Sequence, residues 1–387
     1  MNKKLFVLLS VLLLSALFAG SVIAAPAGAS ELKIGIICSA AGQNDNGYNQ
    51  SAIEGAKQVA EELGIEYKVI DGTSDIATAL EILSEDGYQL IFNLEYDFEA
   101  LINGVGGDQP IAEQYPDVTY VVFNDNPNLD ENGNVKHKNV ISVLFDVHEA
   151  SFQAGLLSVL VNENASILFG DGYHFTSPEE ARGIGFIGGT NSNGITVFSY
   201  GFIEGINYIA SELGVTYDYY AKYDAGFGDP ATGSTVAGTY YDAGANIVYG
   251  VAGNVGDGIT AKAKEAGKLA IQVDANKDDQ QPGYVLTSVL KNTKVPVYTL
   301  SKALQDGTLG EMDNLQTYSL ASGATGITDL SVISGYIVQT DEAAAKWAEV
   351  QEKVAEISAK VGSEIKVTNA ALGEEFDPAS CPNVSIK

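Results

Sequence analysis

Residues 42–67 read GQNDNGYNQSAIEGAKQVAEELGIEY, and residues 189–217 read GTNSNGITVFSYGFIEGINYIASELGVTY. These stretches decide the fold because they are one design written twice. In the first, Ala52, Ala56, Val59 and Leu63 form the apolar stripe of a helix, and Gly64 supplies its C-terminal cap. In the second, Phe202, Ile206, Ile209 and Leu213 repeat the stripe, each 150 positions after its partner.

The repeat extends outward on both sides. LKIGIICSA before the first helix and GIGFIGG before the second read as buried parallel strands. EYKVID, TALEILSED, YQLIFNL and VTYVVFND continue the first copy as strand, helix, strand and strand. STVAGTYYDAGANIVYGVAG and KLAIQVDA answer them in the second. Alternating strands and helices predict an α/β chain of two lobes, each a mainly parallel sheet flanked by helices. Ligands of such sheets sit beyond the carboxyl ends of the strands, which places a cleft between loops 39–48 and 188–198. Residues 162–183 have no counterpart in the first copy and read as an inserted surface excursion. Trp347, Val350, Val354, Ile357 and Val361 form the stripe of an amphipathic helix capped by Thr340 and packed on a lobe.

The 387 residues carry a formal charge of −29, which argues against nucleic acid and disfavours an anionic ligand. Lys3 and Lys4, the apolar run that follows and the small residues near Ala24 read as a secretory signal over about residues 1–25. Gly20 and Ser21 stand where a lipoprotein signal would carry a cysteine, so lipid attachment is not expected. Cys38 and Cys381 are either a disulfide or two isolated buried thiols.

His137, His148 and His174 fall in no metal-binding spacing, DANKDD at 274–279 lacks the glycine and glutamate of a calcium loop, and no GxSxG or Walker motif occurs. No metal, cofactor or catalytic residue is expected. Tyr48, at the head of the first helix beside Asp45 and Asn49, has Phe198 as its counterpart. Two rings facing across a cleft would clamp a planar ligand; the alternative makes Tyr48 a helix staple and Phe198 core. Asp274 ends an apolar strand, where a carboxylate suits vicinal hydroxyls or, alternatively, a helix cap. Gly253 and Asn254 lie at the cleft edge, as ligand contacts or as turn residues.

NDNGYNQSAIEGAK, GFIGGTNSNGITVFSYGFIEG, GANIVYGVAGNVGDG, AIQVDANKDD and VLTSVLKNTKVPVY together span about residues 34–330. On these segments the chain resembles the basic membrane protein family of ABC-transporter substrate-binding proteins, which includes purine nucleoside receptors. The resemblance implies a two-lobed periplasmic-binding fold with three hinge crossings. It implies lobe I over 32–147 and 276–318, and lobe II over 148–275 and 319–387. It also implies a non-enzymatic monomer that closes on a nucleoside, a purine nucleoside by the resemblance, and passes it to a membrane permease. By position, base stacking falls on Tyr48 and Phe198, ribose binding on Asp274, and the lysine after the hinge on Lys291; Asp146, at the exit from the first lobe, is a further candidate. Ser39 stands where relatives bind the base with an acid, and Tyr48 replaces a phenylalanine. A sugar or signalling ligand on the same fold is the alternative, and Asp45 with Asp274 is the obvious acid–base pair for an enzyme.

Overall fold

The computed structural model describes residues 32–387; the expected signal at 1–25 lies outside the described residues. The first lobe begins β1 (Lys33–Ile37), α1 (Tyr48–Leu63), β2 (Glu66–Ile70), α2 (Ile76–Glu85), β3 (Leu90–Asn93), β4 (Thr119–Phe123) and β5 (Val140–Phe145). Then come α3 (Val147–Glu163), β6 (Gly183–Gly188), α4 (Asn193–Leu213), β7 (Tyr217–Lys222), α5 (Pro230–Asp242), β8 (Ala245–Val251), α6 (Val255–Ala266), β9 (Leu269–Asp274) and β10 (Val285–Lys291). The chain finishes with α7 (Lys294–Asp306), β11 (Leu315–Tyr318), β12 (Thr325–Ile327), α8 (Asp341–Ser358) and β13 (Val384–Ile386).

One sheet has the order β11-β5-β4-β3-β1-β2, and the other β12-β10-β9-β8-β6-β7-β13. Read from β2 and from β7, both follow the same winding, so β1 answers β6, β4 answers β9 and β5 answers β10. Strands buried on both faces explain the apolar runs: KIGII is buried after its first residue and VISVLF throughout. A continuous apolar core runs through both lobes, from Ile34 and Phe123 to Phe186 and Tyr249. Smaller cores under α2 and under α5 and α6 close the other faces.

The two halves exchange helices. After β5 the chain leaves the first sheet and α3 packs on α4; after β10 it leaves the second and α7 packs on α1. Glycines permit the close crossings: a Cβ on Gly205 would collide with the Phe152 carbonyl, and one on Gly55 would lie 3.0 Å from the Lys294 carbonyl oxygen. These two glycines are again 150 positions apart. A third passage joins β11, parallel to β5, to β12, antiparallel to β10.

Three sequence expectations change here. The return to the first lobe, expected at 276, falls after Lys291, because β10 pairs with β9 in the second sheet. The segment 162–183 is a surface excursion only in part: Asp171, His174, Glu179 and Glu180 are exposed, whereas Leu168 and Phe169 are buried, and Tyr173 and Phe175 stack at 5.5 Å between centroids. Leu213 is 50% exposed, because the stripe of α4 runs out at its last turn before the left-handed Gly214 cap. α8 starts at the Thr340 cap, whose side chain accepts from Ala343 N, and buries Trp347, Val350, Val354 and Ile357. Cys38 and Cys381 are both buried and free.

Candidate functional site

The loops at the carboxyl ends of both sheets enclose a cavity of about 160 Å³. Its wall takes Ser39, Asp45 and Tyr48 from the first lobe, and Phe198, Gly253, Asp274 and Lys291 from the second. Tyr48 is the first residue of α1 and is 9% exposed. Its hydroxyl donates to the Leu94 carbonyl at 3.3 Å and accepts from Asn124 Nδ2 at 2.9 Å. Its carbonyl accepts from the Thr293 hydroxyl at 2.7 Å, which sews the head of α1 to the second crossing.

Lys291, at the end of β10, is 5% exposed. Its Nζ lies 5.4 Å from the Tyr48 ring centroid, 5.5 Å from that of Phe198 and 5.6 Å from that of Phe145. An ammonium at such distances is attracted by ring quadrupoles. Burial nevertheless dominates and pushes its pKa down to about 8, with Asp274 acting in the opposite sense.

Asp274 adopts φ +75°, and Ala275 N donates back to the Val273 carbonyl at 3.1 Å. That is a γ-turn in the left-handed region, a strained arrangement of the kind found at functional sites. Burial raises the carboxyl above its ordinary value, Lys277 and Lys291 oppose the rise, and Asp45 adds to it. The carboxylate accepts no hydrogen bond among the described residues. Asn124, 150 positions earlier, occupies the equivalent place after β4 with φ +66°.

Other expected residues serve the frame. Asn49 is fully buried and off the cavity wall; its amide accepts from Ser39 N at 2.9 Å and donates to Ser39 Oγ at 2.9 Å and to the Gly42 carbonyl at 3.0 Å. Asp45 lines the cavity, yet its oxygens accept from Gly47, Asn49 and Gln50 N–H groups at 3.0, 2.9 and 3.1 Å, capping α1 from two residues before the N-cap. Asp146 is off the wall, at the first crossing, where its N–H donates to the Tyr318 carbonyl and burial lifts its carboxyl to about 6. Asn254 is also off the wall, at the N-cap of α6, where its N–H donates to the Phe227 carbonyl; its neighbour Gly253 lines the cavity with φ +54°.

Sequence reasoning missed Glu95, Tyr96, Ile195 and Phe227, which also line the cavity. Tyr96 stands three residues beyond β3, and the rule that ligands sit beyond the carboxyl ends of the strands would have reached it. It crosses the cleft: a Cβ on Gly194, in the first turn of α4, would lie 3.8 Å from the Tyr96 ring. Among the described residues no group of three or more His, Cys, Asp or Glu side chains could hold a metal ion.

The family model described as "ABC transporter substrate-binding protein PnrA-like" matches residues 33–369. The chain belongs to this family. An ABC transporter nucleoside-binding protein of Lactococcus lactis subsp. cremoris is 27% identical over 321 residues, covering 77% of this chain and 82% of the relative. Basic membrane protein A1 of Borrelia garinii is 27% identical over 292 residues, covering 73% and 76%. Among solved structures, an ABC transporter solute-binding protein from Aeropyrum pernix superposes with TM-score 0.67 at 22% identity, covering 85% of this chain and 90% of its own. The fold is therefore that of the two-lobed periplasmic solute-binding proteins, and a small-molecule ligand with a transporter partner follows from the family.

Proposed function

We propose that this family member captures a nucleoside, with a purine as its base, by closure of the two lobes, and delivers it to an ABC permease. Tyr48 and Phe198 clamp the base, Asp274 accepts from the ribose hydroxyls, and Lys291 donates from the hinge side. One observation carries the reading: two aromatic rings from different lobes share one cavity with a carboxylate that no described residue hydrogen-bonds. Vicinal hydroxyls supply the two donors such a carboxylate lacks, and a ligand that touches both lobes favours the closed state by its differential contacts. The secretory character of residues 1–25 supports export.

No covalent chemistry belongs to this reading. Of the carboxylate pair that the sequence offered for acid–base work, Asp45 has both oxygens engaged by backbone N–H groups at the head of α1. Ser39, tied to Asn49, presents no carboxylate to the base, so contacts with purine N–H groups are weaker than an acid at that place would give.

A thermal-shift panel of nucleosides, free bases and sugars tests the proposal. A nucleoside at one hundred times its dissociation constant adds about 2.7 kcal/mol to stability, and Tyr48→Ala removes the largest shift. A panel in which sugars alone shift the melting point, or a Tyr48→Ala variant that keeps the nucleoside shift, refutes it. Incubation with inosine returns the nucleoside intact; free hypoxanthine in the mixture would mark an enzyme instead.

A further inference from the structure

The amide of Asn124 donates to two tyrosines: Nδ2 lies 2.9 Å from the hydroxyl of Tyr48 and 2.9 Å from that of Tyr96. Asn124 itself is not on the cavity wall, whereas both tyrosines are. The Tyr48 hydroxyl spends its proton on the Leu94 carbonyl, so its oxygen is left to accept. That fixes the orientation of the amide, whose two hydrogens then serve one hydroxyl each. Tyr48 is a 9%-exposed ring inside the cavity, and Tyr96 is a 52%-exposed ring at its rim, reaching Gly194 of the other lobe. A single side chain therefore ties an inner ring to the residue that bridges the lobes.

The twofold repeat shows what this position is for. Asn124 and Asp274 stand 150 positions apart at equivalent places in the two lobes, both with positive φ. In the second lobe the residue turns a carboxylate to the cavity; in the first, an amide turns to tyrosine hydroxyls that a carboxylate could not serve as a donor. We propose that Asn124 is a positioning residue for ligand capture: it holds Tyr48 and Tyr96 as one hydrogen-bonded unit and slows ligand escape without touching the ligand. The choice of a nucleoside as probe rests on the function proposed above; the tyrosine–asparagine unit does not.

The test follows inosine dissociation by stopped flow. Asn124→Ala is expected to release inosine about tenfold faster, the scale of losing one or two neutral hydrogen bonds, with little change in the association rate. Asn124→Asp, equal in size but without donors, behaves like the alanine variant. In a Tyr48→Phe, Tyr96→Phe background the same substitution changes the rate by less than about twofold, as expected for groups acting as one unit. An Asn124→Asp protein that holds inosine like the wild type, or an alanine effect that persists in the double-phenylalanine background, overturns the proposal. If the wild type binds no nucleoside, the functional reading fails and ligand-free protein decides this one. With 3-fluorotyrosine incorporated, the ¹⁹F resonances of Tyr48 and Tyr96, assigned by their loss in the phenylalanine variants, both move in Asn124→Ala. Unmoved resonances refute the unit.

Discussion

Lys291 places a cation among three rings with no ion pair among the described residues to compensate its burial, and the sign of its pKa shift has a measurable result. The folded chain releases this proton near pH 8, while an unfolded lysine holds it to about 10.5. Between those values the unfolded state binds more protons, so this group's contribution to stability rises with pH and is most unfavourable below about 8. Urea titrations should show the wild type gaining on Lys291→Met between pH 8 and 10; parallel curves would contradict the assignment. Asp274 has the opposite sign: its carboxyl is raised, so the fold is disfavoured above that raised value, where the group must ionise. Asp274→Asn should therefore unfold at higher urea than the wild type at pH 7, yet lose at least about tenfold in nucleoside affinity, since an amide accepts fewer hydrogen bonds. The sequence made Tyr48, Phe198 and Asp274 legible because strand ends and a constant displacement point to them. It could not separate Asn49, Asp146 and Asn254 from the wall, since a polar residue at a helix start reads alike as a ligand contact or as part of the local frame.

At the scale of elements, the helix pairs α3–α4 and α1–α7 depend on glycines that helix propensity alone would disfavour. Alanine is the better helix former by about 1 kcal/mol, so Gly205→Ala would stabilise an isolated α4. In the protein the added methyl meets the Phe152 carbonyl, and overpacking of this kind costs about 1–3 kcal/mol. Gly205→Ala should therefore lower the urea midpoint, and Gly55→Ala, whose methyl would lie 3.0 Å from the Lys294 carbonyl, should lower it less. A gain in stability at Gly205 would show that the crossing can open. Strand and helix order was legible from periodicity. The placement of β10 was not, because a strand buried along nearly its whole length joins either sheet equally well until its neighbour is known, and nothing local in VLTSVLK names β9 as that neighbour.

At the scale of the whole molecule, duplication gives two similar lobes, but neither is closed by its own contiguous stretch of chain. A fragment ending at residue 145 lacks α7 and β11, leaving the side of α1 that carries Ser51 and Gly55 and one edge of β5 uncovered. Expressed alone, it should show no cooperative thermal transition; a sharp one would mean the first lobe is autonomous. The exchanged helices also set an order in time. During synthesis the earlier-made half waits for its last pieces until the ribosome has passed residue 318, by which point most of the later-made half has emerged. An ancestral doubling has thus left two descendants that mature together or not at all, and a nascent chain stalled between them would present an unfinished surface to chaperones.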